Sequence, residues 1–292
     1  MTGDECEERK KVEAKKKSRE TRKEETDKER EQALNHIYEE KTWKITLAHM
    51  PAHRMHIEPD SQQRLIPLAD ADADDDPRDH WLNQDVIDGY GHLLMAKQAT
   101  TDETRNLADK ILPTATCTLI RAFYDKDTGW TPERKREEDK KLRRIRRAHG
   151  TRQATKILLP AHVGGDHWTL FVIHQAAKII RSYDSQGKQQ DDTQNKILRW
   201  WTEMDPDAEN QNTIEWQKIT DTMPWQRNMD GTPNVTDCGV LTCLAMRRIM
   251  LCNRRPRSVE DWHFTGTNGR RGRYRITNEL AANKIFYKTK IR

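Results

Sequence analysis

HWTLFVIH at 167–174, a break at Gln175-Ala176-Ala177, and KIIRSYDS at 178–185 form the stretch whose reading decides the fold. Two apolar runs rich in β-branched and aromatic residues, separated by so short a break, predict an antiparallel hairpin. Centred on 175–176, such a hairpin pairs residues whose numbers total 351, so His167 faces Asp184. Directly opposed residues hold their Cβ atoms roughly 4.5–5.5 Å apart, near enough for a carboxylate to hold an imidazole. The first run is apolar on both parities, Phe171 and Ile173 on one and Leu170 and Val172 on the other. A strand covered on both faces belongs inside a layered α/β or α+β domain.

Working outward, ATKILLPA at 154–161 and residues 213–219 read as further strands, and 195–204 as a helix carrying Trp200 and Trp201. Residues 238–252 read as a nearly continuous apolar helix headed by Asp237-Cys238-Gly239. A thiol at a helix N-terminus sits in the positive end of the macrodipole, which favours the thiolate. A free cysteine, with a pKa of ~8.5, needs such help to react near neutral pH. Thiol, imidazole and aspartate together are the parts of a cysteine nucleophile with its base and its orienting acid. Cys243 and Cys252 read as inert packing residues of the same helix, and Cys117 as a small buried residue.

Upstream, residues 81–96 predict a helix with Asn83 as N-cap and Leu82 and Ile87 as its hydrophobic staple. A second helix is expected over Thr101–Leu112, ending at Pro113, followed by an apolar segment, Cys117–Tyr124, of undecided type. The acidic run at 69–79 lacks calcium-loop spacing and reads as a solvated loop. Residues 1–30 are charged at 21 of 30 positions, too polar to bury. They predict a charged helical or disordered arm over 1–40, with the folded domain at 41–292. The segment RKREEDKKLRRIRR at 134–147 carries nine basic and three acidic residues, a surplus of +6 beside +5 for the whole chain. Such a block suits contact with an acidic protein, a nucleic acid or an import receptor. Residues 266–292 read as basic and weakly amphipathic.

Of the 292 residues, 34% are hydrophobic and 34% charged, and mean hydropathy is −1.05, so part of the chain is not expected to pack into a core. There is no apolar stretch long enough to span a bilayer and no signal-peptide core, so an intracellular, nuclear and/or cytoplasmic, protein with no membrane partner is expected. Five scattered cysteines without a C-x-x-C pair argue against a disulfide framework or a metal site, and nothing calls for a cofactor. Asn234-Val235-Thr236 matches a glycosylation acceptor by chance.

LLPAHVGGDHWTLFVIHQAAKIIRSYDSQG (158–187) followed by TDCGVLTC (236–243) resembles the ubiquitin-like-protein-specific (SUMO/sentrin) cysteine protease family, with the adenovirus protease a more distant relative. WLNQDVIDGYGHLL at 81–94 resembles that family's N-terminal helix motif, and the similarity covers roughly 78–252. The resemblance implies an α+β, papain-like cysteine protease fold: a central mixed or antiparallel sheet packed by helices, with the nucleophile at the N-terminus of a buried helix. It implies Cys238 as nucleophile, His167 as general base and acid, and Asp184 as the residue orienting His167. Trp81 and Trp168 would clamp the substrate's terminal diglycine, since only glycine can thread between two indole faces. The substrate would be a SUMO-like modifier ending in Gly-Gly, and its conjugates. In the family a glutamine a few residues before the cysteine donates to the oxyanion. Here the nearest, Gln226, lies 12 residues before Cys238, across an insert containing Gly231 and Pro233. If a looped-out insert does not bring Gln226 to the site, Asn228 or Asn234 is the alternative donor. Two other readings stand beside this one: a cysteine acyltransferase on a related scaffold, and a catalytically weak modifier-binding or nucleic-acid-associated protein. His162 and His174 read as structural.

Overall fold

A computed structural model describes residues 3–47, 50–70, 75–101, 109–148, 151–204, 215–228, 230–252, 256 and 258–286. In chain order these form α1 (Gly3–Tyr38), β1 (Trp43–Leu47), β2 (Met50–Ile57), α2 (Pro59–Gln63), α3 (Gln84–Thr101), β3 (Lys110–Ile111), α4 (Thr114–Tyr124), α5 (Pro132–Ala148), β4 (Lys156–Val163), β5 (His167–His174), β6 (Ile179–Tyr183), α6 (Asp191–Glu203), β7 (Gln217–Asp221), α7 (Cys238–Leu251) and α8 (Gly269–Ala281). β1 and β2 form a separate antiparallel pair. The other strands make one sheet in the order β3-β4-β5-β6-β7, with antiparallel pairs on both sides of β5 and a parallel pair at each edge.

β5 occupies the whole of the apolar run 167–174. Its two parities enter two separate cores. Trp168, Leu170 and Val172 pack with α3, α7 and α8, whereas Phe171 and Ile173 pack with α4, α5 and α6. Helices therefore cover both faces of a mixed sheet, the expected α+β arrangement. α7 is buried from Cys238 to Met250 and packs against β5 and α3.

The hairpin differs from the expected register. β5 and β6 pair residues whose numbers total 353, from Leu170 opposite Tyr183 to His174 opposite Ile179. The turn is Gln175–Lys178, closed by the Lys178 N–H donating to the Gln175 carbonyl at 3.1 Å, with Lys178 in the left-handed region at φ 53°. Ala177 and Lys178 thus both belong to the turn and not to the strand, which displaces every pair by two.

Asn83 caps α3 as expected, its side-chain oxygen accepting from the Val86 N–H at 3.2 Å, but the helix runs on to Thr101. The helix expected over 101–112 fails at its end: Lys110 and Ile111 are a strand beside β4, and Pro113 is the N-cap position of α4, which takes in Cys117–Tyr124. A short parallel edge strand carries no periodicity to distinguish it from a helix end. Residues 102–108 of that expected helix, 71–74 of the acidic loop, 213–214 of the strand expected at 213–219, and 287–292 of the tail lie outside the described residues.

The tail does not read as the structure has it. α8 buries Arg273, Tyr274, Ile276 and Leu280, because its basic residues find acidic partners inside the molecule. α1 lies along α8. Ala33 and Ile37 are buried there, Glu29 pairs with Arg271 at 3.1 Å, and Arg30 reaches the nearly buried Asp70 at 3.1 Å. The last turns of the charged arm are thus packed on the terminal helix. We expect Ile37→Ala to cost roughly 2–5 kcal/mol in chemical denaturation. Glu24→Ala, on an exposed turn of the same helix, should stay within about 0.5 kcal/mol of the parent.

Candidate active site

The first residue of β5 and the first residue beyond β6 meet at one end of the sheet. By the observed register Asp184 stands across from Thr169, and His167 lies diagonally, two residues further along the same face. A diagonal neighbour lies within reach of a long side chain, and His167 Nε2 lies 3.0 Å from Asp184 Oδ1. Thr169 takes the place expected for His167 and donates its hydroxyl to Asp184 Oδ2 at 3.0 Å. The Gln186 N–H donates to Oδ1 at 2.7 Å and the Gln190 amide to Oδ2 at 2.8 Å. A buried carboxylate with four partners cannot swing away from the imidazole. Burial alone would raise the Asp184 pKa, but His167, the Gln186 N–H and the Gln190 amide outweigh it and hold the pKa below the ordinary value. Sequence reasoning missed Thr169 and Gln190. The first was legible in principle as the next residue on the His167 face of the strand.

His167 is itself buried. With Nε2 committed to Asp184, Nδ1 makes no hydrogen bond to a nitrogen or oxygen. The Cys238 thiol, at the head of α7, favours the charged form of the ring. Burial pulls the imidazole pKa down, but the hydrogen bonds and charges of Asp184 and Cys238 prevail and push it up to about 9. Cys238 is the first residue of α7.

Gly239 sets how closely α7 approaches its surroundings. A Cβ there would lie 2.9 Å from Leu82 Cβ and 3.2 Å from Trp168 Cδ1, so a side chain would push α7 away from both. Trp168 is held in turn by its indole N–H donating to the Leu82 carbonyl at 2.7 Å. It is nearly buried, with its ring against His162, whereas Trp81 is half-buried and its indole N–H has no protein partner. His162 is a ring neighbour of Trp168, and burial holds its pKa down.

The insert loops out. Arg227 and Pro233 form an isolated antiparallel bridge, and the Asn228 N–H donates to the Thr232 carbonyl at 2.9 Å. Met229 lies outside the described residues. The excursion returns Asn234 to Gln226, whose side-chain amide donates to the Asn234 carbonyl at 2.6 Å. Gln226 is buried against Ser185, the residue after Asp184: its N–H donates to the Ser185 carbonyl at 2.9 Å, and its side-chain oxygen accepts from the Ser185 hydroxyl at 2.7 Å. One of its two amide hydrogens is thereby used. Asn234 uses both of its own, on Asn228 Oδ1 and Asp237 Oδ2, and Asn228 uses both on Thr232 Oγ1 and the Pro233 carbonyl.

Residues 80–269 match the Ulp1 protease family, C-terminal catalytic domain. No curated protein is detectably similar in sequence. Among solved structures, the fold is similar to the C-terminal Ulp1 protease domain in complex with Smt3, the yeast ortholog of SUMO, at a TM-score of 0.59 and 15% identity, covering 88% of this chain and 95% of that one. It is similar to a de-sumoylating protease at 0.56 and 15%, covering 83% and 91%. It is also similar to the Chaetomium thermophilum Ulp1-like SUMO protease catalytic domain at 0.54 and 19%, covering 72% and 76%. These likenesses bear on the fold, which is that of the papain-like cysteine proteases.

The His167 environment has a measurable consequence. Its ring should titrate near pH 9 by NMR, and Asp184→Asn, which removes the charge that raises it, should move the midpoint down toward 6.5. Because the folded value lies above the unfolded one, the imidazolium stabilises the fold fully below pH 6.5, and that contribution is lost as pH rises through about 9. A wild-type midpoint at or below 6.5 would contradict the geometry described.

Proposed function

The chain belongs to the Ulp1 protease family and is a cysteine protease; from that premise we propose that it cleaves after the C-terminal Gly-Gly of SUMO or a similar ubiquitin-like modifier, using Cys238, His167 and Asp184. The observation that carries this reading is the His167–Asp184 contact at 3.0 Å, with the other ring nitrogen left to the thiol at the head of α7. Asp184 is the acid of the set: its buried, fully bonded carboxylate keeps the ring fixed and the imidazolium stable. The acyltransferase and binding-protein readings have no comparable observation behind them.

In the proposed mechanism the Cys238 thiolate attacks the carbonyl carbon of the terminal glycine, forming the C–S bond as the carbonyl π electrons move to oxygen. Collapse of the tetrahedral intermediate breaks the C–N bond, and His167, protonated at Nδ1, delivers that proton to the departing amine. Water then attacks the thioester, giving one proton to the neutral His167; breaking of the C–S bond releases the glycine carboxyl group and the Cys238 thiolate, which restores the starting thiolate and imidazolium. Backbone N–H groups at the start of α7 and the unspent amide hydrogen of Gln226 stabilise the oxyanion. Asn228 and Asn234 suit that task less well, since each has both amide hydrogens engaged. Trp81 and Trp168, tied together through Leu82, would flank the diglycine and exclude residues with side chains.

A SUMO-type partner is supported by the family and by the fold shared with the domain solved in complex with Smt3. A second contact, to an acidic protein or a nucleic acid, would run through α5. That helix pairs Lys140 with Glu137, Lys141 with Glu138 and Arg143 with Asp139, yet keeps its cationic surplus because nine basic residues face three acidic ones over 134–147. Such conjugates and partners suit a nuclear and/or cytoplasmic protein.

The reading is tested with SUMO, a Nedd8-type modifier and ubiquitin, each carrying a C-terminal electrophile. A covalent adduct on Cys238, absent in Cys238→Ala and strongest with SUMO, is expected. No adduct with any of the three, or labelling that survives Cys238→Ala, would overturn it. Gln226→Ala should lower kcat by ~10²–10³ on a cleavable substrate, the cost of one oxyanion donor.

A further inference from the structure

Arg273 lies beyond the span that matches the family, 35 residues after Cys238, and its side chain is among the largest that are fully buried. All three guanidinium nitrogens are used. Nε donates to Asp237 Oδ1 at 2.7 Å, one terminal nitrogen to the Thr236 carbonyl at 2.8 Å, and the other to the Arg64 carbonyl at 2.5 Å. The group thus grips the two residues immediately before the nucleophile in a rigid fork. Gly269, one helical turn earlier on the same face of α8, allows the approach, because a Cβ there would overlap the Asp237 carboxylate.

What Asp237 forgoes is as informative as what it binds. It occupies the N-cap position of α7, where an aspartate ordinarily accepts from the helix's second or third N–H. It makes no such bond. Its oxygens are taken by Arg273 and by the Asn234 amide at 2.8 Å, while its own N–H donates to Asn234 Oδ1 and its carbonyl accepts the first helical bond from the Leu241 N–H, both at 2.9 Å. A capping carboxylate would place a negative charge on the amides that favour the thiolate and receive the oxyanion. Arg273 holds it elsewhere.

We propose that Arg273 is a positioning residue for Cys238: by taking the Asp237 carboxylate it fixes the backbone from which α7 starts and keeps negative charge off the helix's N-terminal amides. This rests on Cys238 being the nucleophile. The test compares Arg273→Gln, Arg273→Lys and the double variant Arg273→Gln/Asp237→Asn, which leaves no unpaired buried charge if the single variant does not fold. For proteins shown folded by near-UV circular dichroism, kcat and KM are measured on a cleavable modifier, with the pH dependence of iodoacetamide alkylation at Cys238 followed by mass spectrometry. Alkylation needs no substrate. In Arg273→Gln, kcat should fall roughly 10–100-fold with KM unchanged, the effect of a small misplacement of the reacting group. Its alkylation profile should move to higher pH. Arg273→Lys should be intermediate in both. The double variant should show the lowered kcat with an alkylation profile close to wild type, the carboxylate charge having gone. A folded Arg273→Gln or double variant with kcat within about twofold of wild type, or an Arg273→Gln alkylation profile that does not move, would overturn the proposal. Should Cys238→Ala still cleave, the nucleophile assignment fails instead, whatever the Arg273 variants do.

Discussion

β5 is hydrogen-bonded along both edges and covered on both faces, and the candidate site takes its form from that constraint. Because its two parities feed two different cores, it cannot slip by one residue without exchanging every apolar contact on both sides. Its register is fixed against β4, where Val163 pairs with His167, and against β6, where Leu170 pairs with Tyr183. His167 and Asp184 therefore sit at the end of a strand pair that has no freedom to move. The same strand, one residue on, turns Trp168 to the other face to meet Leu82 and Gly239. One strand end supplies the proposed base, His167, on one parity and Trp168, proposed to flank the substrate, on the other.

A chain with as many charged as hydrophobic residues builds its interior partly from ion pairs. Arg247 of α7 and Glu279 of α8 meet at 2.6 Å, with the Tyr90 hydroxyl of α3 donating to the same carboxylate at 2.8 Å. Arg273 and Asp237 repeat the arrangement one end along. Breaking such a pair costs on the order of 3–5 kcal/mol because a charge is stranded, though replacing both partners can be neutral. The pairs hold α3, α7 and α8 in one mutual geometry. α8 in turn is the surface on which the last turns of α1 lie, which ties a highly charged arm to the element that grips the residues before Cys238.

Local signals were legible wherever a single element carried its own evidence in side-chain type. Asn83 marked its helix start because a side-chain oxygen must meet an orphan amide three residues on, and the run 167–174 marked its strand because both parities were apolar. Cys238 stood out because a reactive thiol needs a helix start. The turn at 175–178 was not legible, since Lys178 adopts a left-handed conformation that its residue type does not announce, and two turn residues too few displaced the pairing by two. His167 and Asp184 still meet, because an imidazole spans the diagonal that the register leaves. α8 was only partly legible: residues 266–292 read as basic and weakly amphipathic, and nothing local reveals that its arginines find partners in Asp237 and Glu29.

The amino-acid sequence by itself determined the fold class, the order of the motifs, and three residue types suited to one chemistry, because periodicity, capping and side-chain reactivity act within a few residues of their cause. Only the tertiary structure decided which atoms face each other. It put Thr169 opposite Asp184, returned the insert so that Gln226 keeps an amide hydrogen unspent while Asn228 and Asn234 do not, and carried Arg273 across 36 residues to Asp237. Those outcomes depend on strand register, on loop closure and on the desolvation of charges, all of which exist only once distant segments have met.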